Sequence, residues 1–589
     1  GVSARGGLAL MVLARSRLRG TGGAPQDTLI EDKIGEGEWD RHISQADTWF
    51  VSAVTWRLGL STRIVQPGET PTGLVKALVK RLGLPAVRTA TKQAMRFLGH
   101  NFVFGQTIED ALKRARSSEA KGYRYSFDML GEGARTRADA ARYFKSYAAA
   151  IDAIGGASSH KPLPDRPGIS VKLSALHPRY EATNRLRVLE ELCPVLLELV
   201  QKAKSYGLNF TVDAEEADRL EISLDAIERI FSDPCLNGWD GFGLAVQAYQ
   251  KRAIDVIEWI STLSASLDRK MTVRLVKGAY WDTEIKFSQE RGAHDYPVFT
   301  RKPGTDVSYL ACARRLLDAR PNIYPQFASH NALTVSTILE MAGDTKGFEF
   351  QRLHGMGEAL YKSLTETNDV MCRIYAPVGG HRDLLAYLVR RLLENGANSS
   401  FISVVGDKTI SITKLLERPE SKLDNGRLAR HPRIPLPINL YGSARRNSRG
   451  VEFGSRVDLD ALVTGVAKTV FPAVRARSIL AEESPDHEGS GRRDVISPSD
   501  DRIIVGTVIS ATPNDIETAM TLAKQGFRTW SATPAEERAS LLARMSDLLE
   551  EHRHRLIAIL AMEAGKILAD GIAEIREAVD FCRFYAGEA

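Results

Sequence analysis

The chain has 589 residues, of which 43% are hydrophobic and 26% are charged, and its formal net charge is +6. Roughly two to four domains are expected from this length, while the small net charge and the lack of long lysine or arginine runs argue against a nucleic-acid-binding protein. No apolar run is long enough to span a membrane, and five scattered cysteines without a Cys-x-x-Cys pair indicate free thiols in a reducing compartment and no structural zinc.

The first hundred residues contain helical periodicity around 48–60 and 73–82, broken by the proline-rich stretch 67–71. We interpret 1–100 as a helical arm that supports the domain following it. The apolar octet 7–14 precedes Arg15, Arg17 and Arg19 and lacks a small-residue cleavage pattern, so it is interpreted as an amphipathic helix rather than a signal peptide.

Eight short apolar segments follow, each of a length typical of a buried strand and most of them rich in β-branched or aromatic residues. They are 124–130, 168–175, 209–215, 241–249, 272–280, 324–331, 348–355 and 370–377. Stretches such as 185–206 and 307–319 separate them and repeat their apolar residues every three or four positions, as amphipathic helices do. This alternation predicts a (β/α)8 barrel within residues 101–416.

Polar or titratable residues stand at or just after the end of every predicted strand. In strand order they are Asp128 with Glu132, Lys172, Asp213 with Glu215, Gln247, Lys277 with Tyr280 and Trp281, Ser329 with His330, His354, and Tyr375. The carboxyl ends of barrel strands form one rim, which is where barrel enzymes carry their active sites. The sequence therefore predicts chemistry at this rim.

A predicted helix at 383–394 follows the last strand and places Tyr387, Arg390, Arg391 and Glu394 on one face. For an arbitrary helix, the base rates of exposure favour a solvated stripe with an internal arginine–glutamate pair. This helix begins beside the barrel mouth, however, where two guanidinium groups would form a fork for a carboxylate. A small acidic substrate is expected.

Residues 417–493 are interpreted as a linker, because they contain a cluster of prolines followed by the polar loop 482–493. From 494 onwards, a pair of strand-like segments precedes three amphipathic helical patterns at 513–526, 534–565 and 567–585. This change of pattern predicts a further α/β segment over 494–589.

Long motifs carry a resemblance to a known family. DAEEADRLE (213–221), RLVKGAYWD (274–282) and YLVRRLLENGANSSF (387–401) resemble the proline dehydrogenase domain of the proline utilization A family. EAGK (563–566) and REAVDFCRFYA (576–586) are similar to the N-terminal part of an aldehyde dehydrogenase. The resemblance implies an α/β fold class: a (β/α)8 barrel with an N-terminal helical arm and an incomplete aldehyde dehydrogenase segment.

The activity that the resemblance implies is FAD-dependent oxidation of L-proline to 1-pyrroline-5-carboxylate, with electrons passed to a membrane quinone. The family's second step, NAD-dependent oxidation of glutamate semialdehyde, requires catalytic residues that we expect to be absent here. We further expect a cytoplasmic homo-oligomer that can associate peripherally with the inner face of the cell membrane. No ribbon-helix-helix segment for binding DNA is expected.

The resemblance also assigns roles to residues. Arg390, Arg391 and Lys172 would bind the substrate, Tyr280, Tyr375 and Tyr387 would wall its ring, Asp213 would hold Tyr375, and Glu132 would order the nearby arginines. Arg274 would lie near the reactive N5 edge of the flavin. The rest of the cofactor would contact Gln247, Val276, Lys277, Gly278, Trp281, Thr300, Arg301, Lys302, Ser329, His330 and Glu394.

Three other interpretations are open at this point. Lys172 or Lys277 could form a Schiff base in a barrel lyase or aldolase. The acidic cluster around Asp213 and Glu215 could bind a divalent metal, although Glu216 points away from the face that the first two share along a strand. A non-catalytic scaffold would need to have lost the rim residues, which are present. The base that deprotonates proline is left unassigned.

Overall fold

The computed structural model describes residues 103–119, 121–158, 161–367, 370–380, 387, 416–426, 429–469, 474–480 and 491–589. They fall into two compact units, with 282–297 and the residues from 431 onwards forming the second unit. The predicted arm 1–100 and the predicted helix 383–394 lie outside the described residues, apart from Tyr387, which is helical and buried.

The first unit contains a closed barrel of eight parallel strands that pair in chain order, with β8 pairing to β1. The strands are β1 Arg124–Met129, β2 Gly168–Val171, β3 Asn209–Val212, β4 Phe242–Gln247, β5 Met271–Val276, β6 Ile323–Ala328, β7 Glu349–Leu353 and β8 Cys372–Val378. The predicted (β/α)8 barrel is thus confirmed.

Helices alternate with the strands, and the apolar residues of the longer helices of the first unit recur on one face and belong to the hydrophobic core. The helices are α1 Ile108–Glu119, α2 Arg137–Ala157, α3 Leu173–Leu176, α4 Arg185–Ser205, α5 Leu220–Phe231, α6 Ala253–Ser266, α7 Trp281–Glu290, α8 Lys302–Asp318, α9 Ala332–Ala342 and α10 Glu358–Thr367. Apart from Trp281, α7 belongs to the second unit. In α4, Val188, Leu192, Leu196 and Leu199 are all fully buried. Their spacing of three to four residues is the pattern that predicted this helix.

Several strands end earlier than the sequence predicts. The predicted second strand extends to residue 175, whereas β2 ends at Val171 and is followed by the short helix α3. All four side chains of α3 are buried, so the apolar run continues although the strand has ended. A short apolar run cannot by itself distinguish a buried strand from a buried helical turn.

The interior of the barrel is polar and its outer face is apolar. In β1, Arg124, Ser126 and Asp128 make contacts with residues of other strands through polar side chains. Tyr125 and Phe127 alternate with them and belong to the hydrophobic core. Because successive side chains of a strand point to opposite faces, one strand supplies polar groups to the interior and aromatic rings to the helices.

A buried ionic cluster lies at the amino-terminal end of the barrel; it comprises Arg124, Gln326, Glu349 and Arg373 and is called the lower network below. The carboxylate of Glu349 accepts hydrogen bonds from Arg373 Nε at 2.5 Å, Arg124 Nη1 at 2.8 Å and Gln326 Nε2 at 2.9 Å. Arg373 also donates to the carbonyl oxygens of Tyr125, Pro164 and Arg166. The amino-terminal end of the barrel is therefore filled with paired charges.

The second unit has its own small sheet and helices. Its elements are α11 Arg456–Ala467, β9 Val474–Ala476, β10 Arg492–Ser497, β11 Asp500–Ile509, α12 Pro513–Ala532, α13 Ala535–Glu551, α14 Arg553–Ala564 and α15 Leu568–Glu588. The single helix predicted over 534–565 is divided at His552, which caps both α13 and α14. The predicted linker 417–493 contains regular structure: the helix α11, and the strand β9, which pairs in parallel with β11. Every helix of the described residues is too short or too polar to span a membrane.

Candidate active site

Asp213, just beyond the end of β3, joins three other rim residues. Its Oδ2 accepts hydrogen bonds from Tyr375 Oη at 2.7 Å and from Lys172 Nζ at 3.0 Å. Its Oδ1 accepts one from Arg274 Nη1 at 2.7 Å. A single carboxylate thus connects the ends of β2, β3, β5 and β8, on different sides of the barrel mouth.

Asp128, near the end of β1, completes this group. Its Oδ1 accepts a hydrogen bond from Lys172 Nζ at 2.8 Å, so that Lys172 lies between two carboxylates. Asp128, Lys172, Asp213, Arg274 and Tyr375 are called the central cluster below. Because parallel strands end at the same rim, residues far apart in the sequence meet here.

The guanidinium of Arg274 contacts two serine hydroxyls of the barrel interior and the ring of Tyr375. Its Nη2 donates to Ser126 Oγ at 3.1 Å and to Ser170 Oγ at 3.0 Å, and these two hydroxyls are 3.0 Å apart. Its Cζ lies 5.1 Å from the centre of the Tyr375 ring, in the range of a cation–π contact. These contacts fix a positive charge at the barrel mouth.

Burial and neighbouring charges set the pKa values of the central cluster. Burial raises the pKa of Asp128, and the nearby Asp213 carboxylate raises it further. For Asp213, burial acts in the same direction, but the charges of Lys172 and Arg274 outweigh it and lower its pKa. Burial opposes the charge of Lys172, yet Asp128, Tyr375 and Asp213 raise its pKa well above the ordinary value. Lys172 therefore carries a fixed positive charge at neutral pH.

An apolar surface adjoins the central cluster. Tyr387 is buried and packs in one hydrophobic group with Val103 and Leu130, and Tyr375 lies against the same group. Two of the three tyrosines that the sequence assigns to the substrate thus lie close together, and one of them also contacts Asp213. An apolar wall next to paired charges suits a small ligand with a hydrocarbon ring and a charged group.

On the side of β4 and β5, Gln247 and Gly278 shape the rim. Gln247 Nε2 donates to the carbonyl oxygen of Glu215 at 2.7 Å, and its Oε1 accepts from the Ala279 N–H at 3.2 Å. Gly278 has φ of +140°, and a Cβ there would come within 2.4 Å of the Tyr249 ring. Only glycine allows the backbone to pass so close to this ring. Val276, the last residue of β5, is partly exposed.

The remaining predicted cofactor residues lie around β5 to β7. Trp281 Nε1 donates to the carbonyl oxygen of Phe299 at 2.8 Å, which ties the start of α7 to the segment that contains Thr300 and Arg301. His330 Nε2 accepts the Leu353 N–H at 3.0 Å. A neutral His330 therefore carries its proton on Nδ1.

Two lysines of the predicted cofactor set have partners on outer helices rather than in the central cluster. Lys277 Nζ pairs with Asp306 of α8 and lies 3.4 Å from Thr334 Oγ1 of α9. Lys302 Nζ lies 3.1 Å from the same Asp306 carboxylate. Burial lowers the pKa of Lys277, although Asp306 acts in the opposite direction. Their assignment to a cofactor stays a prediction.

Other assignments also stay predictions. Arg390, Arg391 and Glu394 lie outside the described residues. Glu132 and Tyr280 are half-buried in the loops after β1 and β5, and Ser329 is buried, its hydroxyl accepting the Asn331 N–H at 3.2 Å.

Sequence reasoning named Asp128 as a rim residue but gave it no role, and it did not consider Ser126 or Ser170. Their signal was the two-residue alternation of β1 and β2, which turns residues 124, 126 and 128 to one face. Charged or hydroxyl groups at such inward positions mark a polar interior. This signal was present in the sequence and was missed.

Protein-family models match three parts of the chain. A model described as proline dehydrogenase matches residues 111–404, and one described as the aldehyde dehydrogenase family matches residues 486–589. A third, described as the DNA-binding domain of proline dehydrogenase, matches residues 1–102. This match differs from the expectation of no DNA-binding segment, and residues 1–102 lie outside the described part of the chain.

Individual relatives extend over the whole chain. Bifunctional protein PutA of Klebsiella aerogenes is 46% identical over 606 residues, covering 100% of this chain and 46% of the relative. The crystal structure of a mutant of Bradyrhizobium japonicum proline utilization A is 54% identical, with a TM-score of 0.75, and covers 100% of this chain and 56% of that one. Proline dehydrogenase 1 of Bacillus subtilis (strain 168) is 29% identical over 54% of this chain and 94% of its own length. The chain spans about half the length of the PutA relatives.

Proposed function

The chain belongs to the proline utilization A family, and from this premise we propose that its barrel oxidises L-proline to 1-pyrroline-5-carboxylate with FAD as cofactor. The observation that carries the proposal is the central cluster, in which Asp213 holds Lys172, Arg274 and Tyr375 within hydrogen-bond distance at the barrel mouth. The match of the proline dehydrogenase model to residues 111–404, and of a proline dehydrogenase over 94% of its own length, supports it.

The donors around Arg274 suit a flavin. Arg274 is buried, and its Nε has no hydrogen-bond partner among the described residues. A buried donor without a partner is costly unless a ligand supplies an acceptor, and the ring system of a flavin has oxygen and nitrogen acceptors at its edge. Gln247 at the end of β4 and the close backbone turn at Gly278, just after β5, would hold the same cofactor.

When bound, the flavin supplies the acceptor for the hydride that leaves the ring carbon next to the proline nitrogen. The chain's own residues orient the substrate for this step. Lys172 presents a fixed positive charge, Tyr375 and Tyr387 cover the hydrocarbon ring, and Arg390 with Arg391 would bind the carboxylate. Correct orientation is worth several kcal/mol because the reacting atoms must approach to about 3–3.5 Å.

The lysine-based alternative has less support from the geometry. A Schiff-base lysine must be able to lose its proton, whereas Lys172 lies between two carboxylates that raise its pKa. Lys277 has a lowered pKa, but its ammonium is paired with Asp306 near the outer helices. A barrel lyase or aldolase would need one of these lysines free at the mouth.

We extend the proposal to the rest of the chain. Residues 101–416 would form the proline dehydrogenase barrel, 1–100 its helical arm, 417–493 a linker and 494–589 the first part of an aldehyde dehydrogenase domain that in the family uses NAD. The electrons would pass to a membrane quinone through peripheral association of a cytoplasmic protein with the membrane. The oligomer would consist of identical chains.

The first experiment is the visible spectrum of the purified chain before and after L-proline is added without oxygen. A flavin band that bleaches with L-proline, and does not bleach with D-proline, is the expected result. A bound flavin that L-proline leaves oxidised would overturn the assignment of the substrate. A colourless protein that binds no added FAD would overturn the assignment of FAD as the cofactor.

We expect Arg391→Ala to raise the KM for L-proline roughly 30-fold, because losing one half of a carboxylate fork costs about 2 kcal/mol. The content of bound flavin should not change. Steady-state kinetics and the flavin-to-protein ratio measure both quantities. Arg315→Ala, at a half-exposed arginine paired with Glu258 on an outer helix, is the control. Unchanged proline kinetics in Arg391→Ala would remove the carboxylate fork from the proposal.

We expect Arg274→Met to lower the reduction potential of the bound flavin by roughly 30–60 mV, equivalent to about 1.4–2.8 kcal/mol for two electrons. A positive charge beside the ring system stabilises the electron-rich reduced form, and methionine removes it. Reduction by L-proline should slow accordingly in stopped-flow measurements. Arg274→Lys retains the charge and serves as the control. A potential equal to that of the unaltered protein would count against this role.

A further inference from the structure

Glu215 is a buried rim carboxylate outside the central cluster. Its Oε1 accepts the Ser174 N–H at 3.0 Å, and its Oε2 lies 3.3 Å from Arg219 Nη1. The residue is only 8% exposed. In the sequence it stands two residues after Asp213, and the proposed function assigns it no contact with proline or flavin.

The backbone of Glu215 continues this set of contacts around the rim. Its carbonyl oxygen accepts from Gln247 Nε2 at 2.7 Å, and Gln247 Oε1 accepts the Ala279 N–H at 3.2 Å. In the other direction, Ser174 Oγ accepts the Gly133 N–H at 2.9 Å. These five residues connect the loops after β1, β2, β3, β4 and β5.

We infer that Glu215 is a positioning residue: its carboxylate fixes the start of α3 next to Lys172, and its backbone carbonyl oxygen fixes Gln247. This inference rests on the proposed function, because Gln247 and Lys172 are the proposed contacts of flavin and proline. Ser174 is only two residues from Lys172, so the hydrogen bond to Glu215 sets where that strand end stands. Glu215 acts through these neighbours and touches neither ligand itself.

The charge of Glu215 is adjustable near neutral pH. Burial raises its pKa to about 7, with Glu216 acting in the same direction and Arg219 and the Ser174 hydrogen bonds against it. The charged or titratable groups that face it are Arg219 and Glu216 from its own turn and Tyr180 from the segment after α3. Hydrogen bonds to an ionised carboxylate are stronger than those to a neutral one. The hydrogen bond from the Ser174 N–H to Glu215 Oε1 is therefore stronger once Glu215 is ionised.

The first test compares flavin affinity and proline kinetics in the holoenzyme and its variants. The ratio of kcat/KM between the unaltered protein and Glu215→Gln should rise with pH through about 7, because the amide cannot ionise. Glu215→Ala removes the carboxylate that anchors its turn to Ser174 and Arg219, so the backbone carbonyl oxygen that accepts from Gln247 is held less firmly. Flavin binding should weaken about tenfold, the effect of losing one charge-assisted hydrogen bond. Glu216→Gln, which changes the adjacent carboxylate, should keep a pH dependence whose midpoint moves to lower pH, because the charge of Glu216 raises the pKa of Glu215. A ratio that does not vary with pH would overturn the inference.

The second test does not depend on activity. The folded pKa of Glu215 is about 7 and its ordinary value is 4.5. Between about pH 4.5 and pH 7, the folded chain therefore retains a proton on Glu215 that the unfolded chain has already lost. Relative to Glu215→Gln, the unaltered protein should lose stability to urea as pH rises from about 4.5 to about 7, and no further above that. A stability difference independent of pH would contradict the ionisation.

The two tests separate the inference from the proposed function. A chain that holds flavin but is not reduced by L-proline rejects the proposed substrate, while weaker flavin binding by Glu215→Ala still supports the positioning role. A chain that oxidises proline normally in both Glu215 variants, with unchanged flavin affinity, keeps the proposed function and rejects the inference.

Discussion

Replacing Asp213 with Asn is expected to lower kcat/KM for L-proline by roughly 200- to 5,000-fold, since removing one partner of a buried charge pair costs about 3–5 kcal/mol. Asp213 accepts hydrogen bonds from Lys172, Arg274 and Tyr375. Asparagine retains the shape but leaves two buried cations facing the single carboxylate of Asp128. Lys172 and Arg274 would then move from their present positions at the barrel mouth.

Steady-state kinetics and the flavin spectrum of the Asp213→Asn variant measure this effect. Asp240→Asn is the control, because Asp240 is half-exposed and pairs with Lys270 at 3.5 Å. The control should retain the activity of the unaltered protein. Near-normal kcat/KM in Asp213→Asn, with a full complement of flavin, would show that the central cluster does not organise the reaction.

The second large effect is on stability. Glu349→Gln is expected to lower the free energy of unfolding by about 3–5 kcal/mol, because it leaves Arg124 and Arg373 without their shared carboxylate in a fully buried site. Urea denaturation at neutral pH measures this change. Glu258→Gln, which removes a half-exposed partner of Arg315, should cost less than about 1 kcal/mol.

The stability that Glu349 provides should depend on pH in a defined direction. Burial raises the pKa of Glu349, but the charges of Arg373 and Arg124 outweigh this and hold it below the ordinary value of 4.5. The contribution is therefore fully present above about pH 4.5 and is lost as pH falls through the folded pKa. A difference between Glu349→Gln and the unaltered protein that grows towards acid pH would contradict this assignment.

The number and order of the strands were predictable from the sequence, because eight apolar segments alternate with amphipathic helical patterns. The rim positions followed from the same pattern, since parallel strands end at one edge. Asp213 and Tyr375 were found in this way, whereas Arg274 was named only through the family resemblance. The strand pattern alone did not give their contacts, because Asp213 and Tyr375 are 162 residues apart in the sequence and only closure of the barrel brings them together. The resemblance did imply that Asp213 holds Tyr375, but it did not imply that the same carboxylate also joins Lys172 and Arg274.

Other features were missed for identifiable reasons. The charged residues Arg124 and Arg373 stand at strand beginnings, where a charge usually marks the edge of an apolar run rather than the interior. Lys277 follows Arg274 by three residues, an odd number, so their side chains fall on opposite faces of the strand. The two-residue alternation, continued past the end of β5, would have placed Lys277 on the opposite face of the strand from Arg274, which is the residue that reaches the central cluster.

The lower network has a consequence for how this barrel can change over evolutionary time. Buried charge groups can often be exchanged together for well-packed apolar residues at no cost, whereas each single exchange leaves an unpaired charge. Arg124, Glu349 and Arg373 share no member with the central cluster. A lineage could thus reach an apolar version without altering the chemistry at the mouth, but every intermediate on the way would be less stable. The low stability of these intermediates therefore preserves the ionic form, even where the apolar form would be as stable.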